Sequence, residues 1–146
     1  MIFDMQNLFS DGQSLEGAAG TTVSTNVIDR GPQGTPQHAT GIFKADLGKG
    51  VKVPLRAQIT DTVLGGTAIE LQVQVSVDEA FTAPIIVARS GVIPVAELVA
   101  GYVFSVDHFP IGTNERYIRL AYVRTGTQTA GEVTAGITLG NDEAYS

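Results

Sequence analysis

The 146-residue chain contains no cysteine and no tryptophan, and only two histidines. Without cysteine there is neither a disulfide framework nor a thiolate metal site, so stability rests on packing and nothing points to an oxidising compartment. Charge is sparse as well. Asp, Glu, Lys and Arg make up 16% of the residues, and fifteen acids against nine bases leave a formal net charge of -6. Binding nucleic-acid phosphates needs clustered Lys and Arg to displace counterions, and here the bases are scattered, which argues against a nucleic-acid partner. No apolar run approaches the roughly 20 residues that span a bilayer, and Met1 to Gln6 lacks the basic start and apolar stretch of a secretory signal. The chain reads as soluble, made in the cytosol and without a membrane partner.

What the chain does have is apolar content and turns: 43% hydrophobic residues and 17 glycines. That is enough to bury a core in one domain spanning residues 1–146. Period-two alternation, which places one side of a strand on a core and the other in solvent, recurs along the chain. From Thr67 to Val77 the odd positions are Ile69, Leu71, Val73, Val75 and Val77, with Glu70, Gln72, Gln74 and Ser76 between them. The same parity runs from Val51 to Ile59, where Pro54 on the polar side implies an edge strand or bulge. It returns in Arg116–Arg124 and Glu132–Leu139, separated by a hairpin loop at Thr125–Gly131. Weaker strands are expected at Thr22–Asp29, Ile85–Ala88 and Tyr102–Val106, and a short helical turn at Val95–Val99 after Pro94. About eight half-buried strands make an all-β, antiparallel β-sandwich, and the local pattern fits a jelly roll or an immunoglobulin-like sandwich equally.

Two stretches lack strand character, Ser10–Gly20 and Gly31–Gly50. Loops of that length in a small domain tend to be functional or mobile. The first 20 residues read as an N-terminal arm bearing Ile2, Phe3, Met5, Leu8 and Phe9, and the 31–50 loop carries a small apolar island at Ile42-Phe43. These side chains either cover the open end of the sandwich or are buried against a neighbouring chain. Phe3, Met5, Asn7, Leu8, Phe9, Ile42 and Phe43 are therefore the candidate interface residues.

Catalytic chemistry is hard to place. His38 falls in a polar loop and His108 in a turn, and neither has a partner at metal-ligand spacing. Asp78-Glu79 and Asp142-Glu143 lack the spacing of a calcium loop and read as a solvated turn and a mobile tail. Ser90-Gly91 reads as a turn, not a nucleophile elbow. Gly48-Lys49-Gly50 has no upstream glycine, no Ser or Thr after the lysine and no helix to open, so it is no phosphate loop. The chain is expected not to be an enzyme, and to carry no cofactor or metal.

Four segments, Asn7–Gln13, Ser24–Asp29, Arg116–Leu120 and Ala130–Gly136, together resemble the capsid cement, or decoration, proteins of short-tailed bacteriophages of the Bordetella-phage type. Their order and spacing agree along nearly the whole chain. The resemblance implies a jelly roll on the outer capsid surface of a virion, often dimeric, that binds the major capsid protein and fastens neighbouring capsomers. It places Asn7–Gln13 at an interface with the shell or a sister subunit. The competing reading is a carbohydrate- or receptor-binding sandwich of a phage tail or cell surface. That reading needs an aromatic platform, for which Tyr117 is the main candidate on a strand.

Overall fold

The computed structural model describes residues 2–139. Asp142-Glu143 and Tyr145 lie outside the described residues. Eight strands form two antiparallel sheets: β1 (Phe3–Ser14), β2 (Gly20–Val23), β3 (Ile28–Asp29), β4 (Leu55–Gly65), β5 (Ala68–Ser76), β6 (Ile85–Pro94), β7 (Tyr117–Thr125) and β8 (Gln128–Thr138). One sheet runs β1-β8-β4, the other β2-β7-β5-β6, with β3 also on β7. Residues 101–109 then follow the free edge of β4. Gly101 N–H donates to Ile59 O at 2.7 Å, Phe104 N–H to Ala57 O at 3.0 Å and Leu55 N–H to Asp107 O at 2.9 Å. With that segment as the fourth member of the first sheet, the strand order is that of a jelly roll.

The alternation explains the core. Ile69, Leu71, Val73 and Val75 of β5 and Ile118, Leu120 and Tyr122 of β7 meet Leu55, Ala57 and Ile59 of β4 and Val133 and Ala135 of β8. Fully burying an aliphatic side chain contributes roughly 1.5–3 kcal/mol relative to leaving it in water, and most of these are completely covered. Val51, Val77 and Leu139 share the core parity but are 90%, 65% and 80% exposed, because each lies beyond the end of its ladder, where no facing sheet remains.

The strand expected at Thr22–Asp29 is two, β2 and β3, the one expected from Val51 begins its ladder at Leu55, and three further expectations change. The arm over residues 1–20 is largely β1, whose strand character is hidden by bulges. Between Phe3 and Leu8, β1 advances five residues while its partner β8 moves only from Thr138 to Gly136. The excess is held by Asp4, which accepts Gln6 N–H at 3.0 Å and the Asn7 side-chain N–H at 2.6 Å. Ser90-Gly91 is no chain-reversing turn. It is a bulge inside β6, where Ser90 Oγ accepts the Leu71 N–H at 2.9 Å and Gly91 adopts φ 79°. Tyr102–Val106 touches β4 through single bonds and an isolated bridge between Val103 and Gln58, not a regular ladder.

Candidate docking surface

Strand registers define one end of the sandwich. Phe3 lies opposite Thr138, Ile137 opposite Leu55, and Ser76, Tyr117 and Asp29 pair across the other sheet. Pro54 bridges His108, and Thr138 N–H donates to Pro54 O. The start of β1, the 31–50 loop, residues 107–116 and the β5–β6 connection all gather there. So do most of the large apolar side chains left in solvent, among them Met5, Ile42, Phe43, Val51, Val77 and Ile111. The opposite end is closed by tight glycine turns. At Gly126 (φ 81°) a Cβ would sit 2.9 Å from the Gly66 backbone, so nothing larger fits.

The 31–50 loop forms no strand, yet it is tied down. Arg30 Nη1 donates to Thr113 O at 3.0 Å and Glu115 O at 3.2 Å, and Nη2 donates to Ala45 O. Lys44 Nζ pairs with the buried Glu115 carboxylate at 2.7 Å, and Gln33 Nε2 donates to Asn114 O at 2.8 Å. Asp46 accepts the Gly112 and Gly48 amides at 2.8 Å each, and these bonds, Gly112 first, lower its pKa from the ordinary carboxylate value. Gly48 lies so close to Pro110 that a Cβ would fall 2.1 Å from the proline carbonyl carbon. Two loops therefore clasp each other, and Ile42 and Phe43 project from the clasp about 60% exposed.

The candidate residues separate by burial. Leu8 and Phe9 are buried, at 6% and 0% exposure; Leu8 lies against Gly136, while Phe9 joins the core and packs edge-to-face on Phe109 at 6.3 Å. Phe3 and Asn7 are half-buried, whereas Met5, Ile42 and Phe43 stand in solvent.

The Asn7–Gln13 segment joins the chain at Val23–Asn26. Asn26 N–H donates to Phe9 O at 3.0 Å, Gln13 Nε2 to Val23 O at 2.8 Å, and Thr25 N–H to Gln13 Oε1 at 3.0 Å. Ser10 Oγ reaches across the core to the Tyr122 hydroxyl at 2.9 Å, and burial pushes that phenol's pKa up. Sequence reasoning missed this suture because its bonds join the edges of two different sheets. Polar residues at buried β1 positions were its one visible sign.

The chemistry is correspondingly thin. His38 is exposed in the loop. His108 Nδ1 contacts Asp107 Oδ1 at 2.6 Å, a neighbouring pair at the surface that lowers the carboxyl pKa. Asp78 spends its oxygens on Thr82 and Ser76 in its own turn. Among the described residues no group of three or more His, Cys, Asp or Glu is placed to hold a metal ion. Tyr117 is half-buried with the Arg116 guanidinium 4.9 Å above its ring, so it offers no free aromatic platform.

The structure is thus that of a jelly-roll domain that gathers exposed apolar side chains around a braced loop at one end. The sequence model of the Bbp16 family matches residues 9–137, and the chain belongs to that family. Bbp16 is the capsid cement protein of Bordetella phage BPP-1. The protein is thus a non-catalytic capsid cement, or decoration, protein of the virion surface that binds the major capsid protein. A search of curated proteins gave no match.

Proposed function

We propose that the protein docks on its shell through the loop-bearing end of the jelly roll, using Phe3, Met5, Asn7, Ile42 and Phe43, and that it does so as a dimer. The observation that carries this is the concentration of exposed large apolar side chains at that end. Contiguous apolar surface on a soluble protein marks an interaction site more often than scattered single residues do. A braced loop also suits docking, since a preorganised surface loses less conformational entropy on binding. Dimerisation is supported by β6, the outer strand of its sheet, which exposes Ile85 and Val92.

The test is cosedimentation of the full-length protein with purified shells. Met5→Glu and Ile111→Glu should each weaken binding about tenfold or more, whereas Leu64→Glu at the opposite end should leave it unchanged. Equal loss in all three variants, or none in the first two, would rule out this surface. Sedimentation velocity checks the dimer, which Val92→Glu should shift toward monomer.

A further inference from the structure

The 31–50 loop encloses an open cleft of about 360 Å³ between its two limbs, lined by Pro32, Gln33, Pro36, Phe43 and Ala45, with Arg30 at its root. We infer that this cleft receives a segment of the shell protein carrying an acidic side chain beside an apolar one. The carboxylate meets Arg30, and the apolar neighbour lies against Phe43 and Pro36. The inference rests on the docking reading above and names what that surface recognises.

Arg30 has donors to spare. A guanidinium carries five N–H groups, and three bonds are made here, all to backbone carbonyls. Among the described residues no carboxylate forms an ion pair with it. Asp46 lies close enough to influence it electrostatically, but its two oxygens accept the Gly48 and Gly112 amides. The Asp46 charge offsets part of Arg30's, but Nε–H and the second Nη2–H, which share one edge of the guanidinium, have no acceptor among the described residues, and Arg binds carboxylates with two parallel bonds along such an edge.

The walls supply the rest. Phe43 is 62% exposed, and its own N–H donates to Gly34 O at 2.8 Å, which fixes one limb against the other. Pro32 and Pro36 restrict the opposite limb before any ligand arrives. Arginine and aromatic anchors in a preformed recess are what energetic centres of protein interfaces consist of. The net charge of -6 disfavours a nucleic-acid strand as the occupant.

The experiment places the photo-crosslinker benzoylphenylalanine at position 43 of the full-length protein, binds it to purified shells, irradiates, and maps the joined peptide by mass spectrometry. Binding isotherms of Phe43→Asp and Arg30→Lys accompany it. The crosslink should fall on a shell-protein segment with an Asp or Glu within two residues. Phe43→Asp should bind about a hundredfold more weakly and Arg30→Lys about tenfold, the latter with an unchanged melting temperature.

A crosslink to a second copy of this chain, a crosslink to a shell segment without an acid, or full binding by Phe43→Asp would each overturn the inference while leaving docking intact. If Arg30→Lys loosens the loop, Phe43→Asp still decides, because its side chain projects into solvent. Failure of the wild-type protein to bind shells would overturn the inference and the docking reading together.

Discussion

Asp29 ties the 31–50 loop to the sheet. Its carboxylate takes two bonds from Arg116, at 2.7 and 2.9 Å, and one from Gly31 N–H at 2.9 Å, which hold its pKa down at about 2. A carboxyl whose pKa is lower folded than unfolded adds stability above its unfolded value, near 4, and loses it as pH falls toward the folded value. Asp46, Asp78 and Asp107 are shifted in the same direction. The melting temperature should therefore be flat above about pH 5 and decline between about pH 4 and 2. Asp29→Asn should reduce that decline, as followed by circular dichroism across the range; an unchanged acid profile would show that Asp29 does not couple to folding. Phe9→Ala, with its ring wholly buried, should cost about 3–5 kcal/mol in urea unfolding. Met5→Ala, a few residues away, should cost under about 0.5 kcal/mol. That contrast separates core from surface within one segment whose apolar residues the sequence alone does not tell apart.

At the scale of elements, the strands with clean alternation were legible and those with bulges were not. β5 and β7 follow from parity alone because their shared register runs unbroken from Ala68 opposite Thr125 to Ser76 opposite Tyr117, and β8 follows only from Glu132 on, since the part expected as loop, Gln128–Gly131, lies where its pairing with β4 shifts. β1 was read as an arm because the Asp4–Asn7 bulge and the shift after Leu8 put Leu8, Phe9 and Ser10 all inside, which destroys a period of two. Parity ends β6 at Ala88 because Ser-Gly signals a turn in most sequences, whereas here the serine hydroxyl fills the gap in the ladder.

The outer face of β5 also departs from its pattern: Gln72 and Gln74 are only 7% exposed. Arg119 Nε donates to Gln74 at 2.9 Å, Gln74 to Gln72 at 3.2 Å and Gln72 to Glu70 at 2.8 Å, with Arg89 closing the row on Glu70. Parity marks such positions as solvent-facing and cannot register neighbours that lie down along the sheet.

Gly136 gives an element-scale prediction. A Cβ there would fall 2.7 Å from Leu8 Cδ2 and 3.1 Å from Leu8 Cα, so β1 lies against β8 only because the position is bare. Gly136→Val should destabilise by about 1–3 kcal/mol and raise amide exchange in β1 before the other strands. Uniform exchange throughout the sandwich would contradict that local role.

For the whole molecule, the sandwich and the missing catalytic constellations were legible in residue patterns, and the cement role through segments that turn out to be internal joints. Phe9 and Gln13 bond to Val23, Thr25 and Asn26 across the open flank, so these segments take part in closing the jelly roll. The exposed apolar end was legible in part, at Met5, Ile42 and Phe43. Val51, Val77 and Ile111 join them only once strand registers bring distant segments together. Many copies, each adding a modest interface, can fasten a shell by avidity without any one contact being tight. The most direct test is a cryo-electron-microscopy reconstruction of shells decorated with the full-length protein. The account predicts the jelly roll standing with residues 2–7, 31–50 and 110–116 against the major capsid protein. A reconstruction in which the glycine-turn end at Gly66 and Gly126 meets the shell, with Phe43 in solvent, would contradict it.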